Sequence, residues 1–135
     1  MAGNRVGPLM QDNFGNFRLA SRLVSLNATG DALFFSVPFG QFTVRRIRVR
    51  NPSASVTGAA LGIWTAASQG GTNIVANVTL SSLSANLTYT ELTLVSGVNT
   101  TIYTNATTFY VNVGTASVGN TLYIDLYGDP VTDQL

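Results

Sequence analysis

Phe42-Thr43-Val44-Arg45-Arg46-Ile47-Arg48-Val49-Arg50 is the stretch on which the reading of the fold turns. Apolar and polar residues alternate as they do in a strand with one buried face. The apolar set, however, falls at 42 and 44 and then at 47 and 49. A strict period of two would put these pairs on opposite faces of the sheet. One extra residue at Arg45-Arg46 returns them to the same face, so the spacing predicts a β-bulge there. Arg45 or Arg46, then Arg48 and Arg50, would project outward as a row. The strand stops at Asn51-Pro52-Ser53, because proline cannot donate to a sheet ladder.

The same pattern extends along the chain. Short runs of Val, Ile, Thr, Leu, Phe and Tyr alternate with Gly, Asn, Pro and Ser, and no segment sustains helical periodicity. The runs read as about eight strands: 19–26, 32–37, 42–50, 59–66, 73–80, 87–95, 101–113 (with a break inside it) and 121–127. The expected fold is all-β, a single-domain β-sandwich or jelly roll over residues 19–135. Residues 1–18 contain Gly3, Gly7, Pro8 and Gly15, which break regular structure, but also Phe14 and Phe17, which a free tail does not need. They read as an extended N-terminal arm that packs on a neighbour, with Phe14, Phe17 and Arg18 as its contact residues.

The 135 residues suffice for one core. Only 10% of them are charged, against about 25% in ordinary soluble domains. Burial of part of the surface against other subunits reconciles this with solubility. The chain has no Cys, His or Lys, which removes thiolate and imidazole chemistry, Schiff bases and His or Cys metal sites. No enzymatic activity and no cofactor are expected. No secretory signal or membrane-spanning apolar run is visible, so no membrane association is expected and the five Asn-x-Ser/Thr sequons carry no weight.

The few charges are sorted by position. Residues 1–50 hold seven Arg and two Asp, a net +5, and residues 51–135 hold four carboxylates, a net −4. Two readings follow: folding distributes these charges over an ordinary surface, or the halves complement each other between copies or the first half docks on an acidic partner. The row Arg45, Arg46, Arg48 and Arg50 suggests phosphate or nucleic-acid binding. A net charge of +1 and no aromatic residue interleaved after Phe42 argue against that. Ion pairs with carboxylates of the same or an adjacent chain fit better. Asp125 alternates with Tyr123 and Tyr127 on one strand face and is expected to pair with an Arg, while Asp129 is expected to shape a Gly-Asp-Pro turn. Trp64, the only Trp, suits core or interface filling, and a sugar-stacking role is the alternative.

Val44-Arg45-Arg46-Ile47-Arg48-Val49-Arg50-Asn51-Pro52-Ser53, Gly62-Ile63-Trp64-Thr65-Ala66-Ala67-Ser68-Gln69-Gly70-Gly71 and Leu126-Tyr127-Gly128-Asp129-Pro130 give the chain a familiar outline. It resembles the small β-rich proteins encoded among the head genes of tailed bacteriophages, over roughly residues 29–130. That resemblance implies a capsid decoration, or cement, protein: a homotrimer on the capsid exterior, made in the host cytoplasm, that bridges major capsid protein subunits. A carbohydrate- or receptor-binding module of a fibre or spike is the alternative, and would show Trp64, Tyr123 or Tyr127 exposed around a shallow groove.

Overall fold

The computed structural model describes residues 17–134. Nine strands follow one another: β1 Phe17–Ser25, β2 Gly30–Ser36, β3 Phe39–Arg50, β4 Ala60–Ala66, β5 Gly70–Thr79, β6 Tyr89–Leu92, β7 Ile102–Thr104, β8 Thr108–Thr115 and β9 Thr121–Gln134. They pair antiparallel from the outside inward: β1 with β9, β2 with β8, β3 with β6 and β7, and β4 with β5. A long antiparallel ribbon of this kind, folded over into two sheets, is a jelly roll. One sheet runs β1-β9-β3-β6, with β7 also on β3, and the other runs β2-β8-β4-β5.

The expected strand at 101–113 is two strands, which raises the count from eight to nine. β7 belongs to the first sheet and β8 to the second, so the chain must leave one layer and enter the other between them. A turn closed by Thr107 N–H donating to the Thr104 carbonyl makes that crossing. β6 and β7 lie end to end along one edge of β3, opposite Ile47–Arg50 and Gln41–Thr43 respectively. A 3₁₀ turn at Val98–Thr100 separates them, entered through Gly97 at φ 91°.

The predicted bulge is present. Val44 pairs with Gly128 and Arg46 with Tyr127, leaving Arg45 without an opposite residue. Phe42, Val44, Ile47 and Val49 are all buried, and the side chains of Arg46, Arg48 and Arg50 face outward. β1 skips a residue at nearly the same level, between Arg18, opposite Tyr127, and Ala20, opposite Leu126. β9 is therefore gripped by two bulged strands. A Cβ on Gly128 would run into the Thr43 carbonyl oxygen, and Leu19 Cδ1 sits close by.

Two sequence expectations need correction here. Gly128-Asp129-Pro130 is not a turn, because β9 continues through it to Gln134. Pro130 is accommodated opposite Phe42, beside a second skip in register between Gln41 and Phe42, where a missing N–H breaks no regular ladder. The first strand also begins at Phe17 rather than Leu19, so Phe17 and Arg18 belong to the sandwich. Phe14 and the rest of the expected arm lie outside the described residues.

The core fills the gap between the sheets. Phe42 and Tyr103 of the first sheet meet Phe109 of the second at ring-centroid distances of 6.2 and 5.9 Å, and Phe35 lies 5.7 Å from Phe109. Leu122, Ile124 and Leu126 of β9 are buried with them. Among the described residues no helix is long and apolar enough to cross a membrane.

The close approach at Gly128 makes a sharp prediction. Gly128→Ala should destabilise the protein by about 1–3 kcal/mol, because the obstructing atom is backbone and cannot swing away. Gly58→Ala, where an added Cβ meets nothing within 4 Å, should change stability by less than about 0.5 kcal/mol. Chemical denaturation of both variants checks this.

Candidate interaction site

The bulge fixes which side chains share the outer face of the first sheet. Register places them in rows across the strands: Arg18, Tyr127 and Arg46; then Ser21, Asp125, Arg48 and Glu91; then Leu23, Tyr123, Arg50 and Tyr89. Arginine and tyrosine thus alternate across the first and third rows, with the carboxylates in the row between. Each guanidinium of the row lies over a ring, Arg46 over Tyr127 at 5.0 Å, Arg48 over Tyr89 at 4.8 Å and Tyr127 at 5.5 Å, and Arg50 over Tyr123 at 4.8 Å. Such contacts hold long side chains flat and lower the entropy left to lose on binding.

The carboxylates are set into this layer. Asp125 points outward yet is completely buried, roofed by its neighbours. Arg50 Nε donates to its Oδ2 at 2.6 Å, the Ser21 hydroxyl donates to Oδ1 at 2.6 Å, and Arg18 Nη1 lies 4.0 Å away. Burial by itself pushes the Asp125 pKa up. The hydrogen bonds from Arg50 and Ser21 and the charges of Arg50 and Arg18 outweigh it, so the carboxyl titrates below its ordinary range. Arg48 Nε donates to Glu91 Oε2 at 2.9 Å, its Nη2 lies 2.9 Å from the same oxygen in an ion pair, and Arg46 Nη1 reaches it at 3.9 Å.

The Arg residues proposed from sequence divide accordingly. Arg50 is committed to the buried Asp125 and to Asn51 Oδ1 at 3.0 Å, so it serves the fold first. Arg45 stands on the bulge apart from the row, donating to Asp129 Oδ2 at 3.0 Å and to the Asn99 carbonyl at 3.1 Å. Arg18 and Arg46 are the cations of the face with most freedom to meet another surface, while Arg48 is held by Glu91. Phe17 packs edge-on against Phe39 at 5.7 Å. The expected pairing of Asp125 with an Arg is observed, and the positive first half of the chain meets the negative second half inside one molecule.

Within β3 no aromatic residue is interleaved with the Arg row. The rings are there, contributed by β6 and β9 instead of β3. The signal for two of them was the Tyr123-Asp125-Tyr127 alternation, which points to an Arg partner for Asp125 but not to which strand supplies it; Tyr89 and Glu91 carry no comparable mark. A nucleic acid would still have to compete with Glu91 and Asp125 for Arg48 and Arg50. Trp64 lies on the opposite side of the molecule, half-buried on the outer face of the second sheet.

No protein-family model matches the chain, and no characterised protein matches it significantly in sequence. Function is therefore read from the surface.

Removing the Arg50 guanidinium leaves the Asp125 charge buried with weaker compensation. Arg50→Ala should destabilise the protein by about 2–4 kcal/mol, at or below the usual range for breaking a buried pair because Arg50 is itself partly exposed. Arg48→Ala should lose at most about 1 kcal/mol. Because the Asp125 pKa is lowered by folding, the stability it contributes is complete above about pH 4 and is lost as pH falls through the folded-state value. Asp125→Asn should consequently show a shallower acid loss than wild type in denaturation curves taken between neutral pH and pH 2.

Proposed function

We propose that the protein is a structural component of a virion, a capsid cement that binds neighbouring major capsid protein subunits through the outer face of its first sheet. The observation that carries this reading is the character of that face. It is broad, spans four strands, and is built from Arg and Tyr, the residue types that dominate interface hot spots. Leu23 and Tyr89 add exposed apolar area at its margins, 53% and 60% accessible, and Ile102 of β7 adds more at one end. Its carboxylates are already paired within the chain, so a partner can cover them without stranding a charge.

Three further features support it. The stretches Val44–Ser53, Gly62–Gly71 and Leu126–Pro130, which suggest a phage head protein, point the same way. A jelly roll supplies a rigid block whose loops need not rearrange on docking. The low charge content of the chain suits a molecule that spends its working life against other protein surfaces.

The mechanism is mechanical. Packaged DNA pushes capsomers apart, and a subunit seated across the boundary between them adds interface area that must be lost before they separate. Binding only the expanded shell stabilises that form by mass action. Association as a homotrimer would present three docking faces and raise the effective concentration of each once the first has bound.

Quantification of the polypeptide in purified virions tests the reading. A copy number comparable to that of the major capsid protein is the expected result, and absence from the particle refutes it. A Leu23→Ser, Tyr89→Ser double variant should bind particles at least ~10-fold more weakly while its melting temperature stays within a few degrees of wild type. Undiminished attachment would move the docking surface elsewhere.

A further inference from the structure

The outer face of the second sheet has a different chemistry. Register aligns Phe34, Tyr110, Trp64 and Asn73 in one row across all four strands. Phe34 is 69% exposed, and its ring stacks on that of Tyr110 at 5.8 Å and 29°. Trp64 closes the row by lying back over Gly62, whose missing side chain makes the room: a Cβ there would strike the indole ring. A phenylalanine this exposed contributes little to the fold, so its position on an aromatic platform calls for a ligand.

The surroundings of the platform are polar and almost uncharged. Asp31 is the only ionisable acid or base on the four strands of this sheet apart from the Tyr110 phenol. Its oxygens are taken, Oδ1 by Asn112 Nδ2 at 2.9 Å and Oδ2 by the Ser68 N–H at 2.8 Å, and Gln69 Nε2 donates to Asn112 Oδ1 at 3.1 Å. These bonds hold Ser68 and Gln69 in left-handed conformations, φ 57° and 63°, beside an open depression of about 420 Å³. On the other side of the row Tyr110 borders a second depression of about 450 Å³, walled by Thr65, Thr72, Thr107 and Thr108. Both volumes fall within the ordinary range for small-ligand sites.

We infer that this face binds a neutral glycan, with a pyranose ring stacked on Phe34 and Tyr110 and its hydroxyls directed into the threonine-lined depression. The chemistry selects the ligand class. An exposed ring pair offers a flat apolar surface to the C–H face of a sugar, and hydroxyls and amides around it both donate and accept. With no Arg or Lys on the sheet, an anionic ligand finds no counter-charge. A protein partner would be expected to meet more aliphatic surface than the flanking Ser36, Thr65 and Thr108 provide. The site lies on the opposite side of the sandwich from the proposed docking face, so it stands whether or not the capsid reading does, and a docked subunit would present it outward.

Trp64 is the only Trp in the chain, so its fluorescence reports on the site directly. Titration of the intact protein with short neutral oligomers of glucose, galactose and N-acetylglucosamine should give a saturable change in emission with at least one series. Phe34→Ala should weaken that binding roughly tenfold without lowering the melting temperature, and Leu23→Ser, Tyr89→Ser should leave it unchanged. No saturable response to any series overturns the inference, as does a Phe34→Ala variant that binds like wild type. Binding of sulfated but not neutral oligomers also overturns it. So does concentration-dependent self-association that Phe34→Ala abolishes, which would make the row a contact between copies of the chain.

Discussion

One inserted residue sets the phase of the central strand. With Arg45 bulged out, Phe42 and Val44 on one side of it and Ile47 and Val49 on the other all reach the core, and the strand can run twelve residues without turning its apolar face to water. Without the bulge one of these pairs would be expelled, at a cost of about 1.5–3 kcal/mol for each large side chain. The same insertion brings Arg46, Arg48 and Arg50 into line with Tyr127, Asp125 and Tyr123 of β9. Core and outer face are thus fixed by a single local event, and Gly128 on the facing strand is where the crowded backbone makes room for it.

The outer layer built on this register resolves the segregation of charge along the chain. Jelly-roll pairing joins the first strand to the last, so a basic first half and an acidic last third are laid side by side. Arg50 and Asp125 are 75 residues apart in sequence and 2.6 Å apart in space. The surface that results has its carboxylates satisfied from within, stacked rings beneath its guanidiniums, and apolar side chains at its margins. It is preorganised, and its two carboxylates, Asp125 and Glu91, are paired from within while guanidiniums outnumber them, which suits a lasting interface with another protein.

Much of the architecture was legible from residue periodicity. Each expected strand has a counterpart, because half-buried strands reveal themselves by alternation and their ends by Gly, Asn and Pro. The bulge was legible for the same reason, since Arg45-Arg46 interrupts an otherwise regular pattern. Gly128-Asp129-Pro130 misled because its turn chemistry is real, while tertiary pairing with β3 overrode it. The division of 101–113 into two strands was half visible, as a break without the change of sheet. The sites were less legible. Arg partners on β6 and β9, and the Phe34-Tyr110-Trp64 row assembled from three strands, are products of pairing across long sequence separations. A single strand shows its own face and says nothing of its neighbour's.

The two outer faces divide the molecule's surface chemistry: Arg and Tyr with paired charges on one, exposed rings among hydroxyls and amides on the other. The central claim is that the first of these is the covered one. Hydroxyl-radical footprinting of the protein free in solution and in purified particles tests it most directly. The account predicts that Leu23, Tyr89 and Tyr123 become protected in the particle while Phe34 keeps its reactivity. Protection of Phe34 and Trp64 with Tyr89 left as reactive as in the free protein would contradict it.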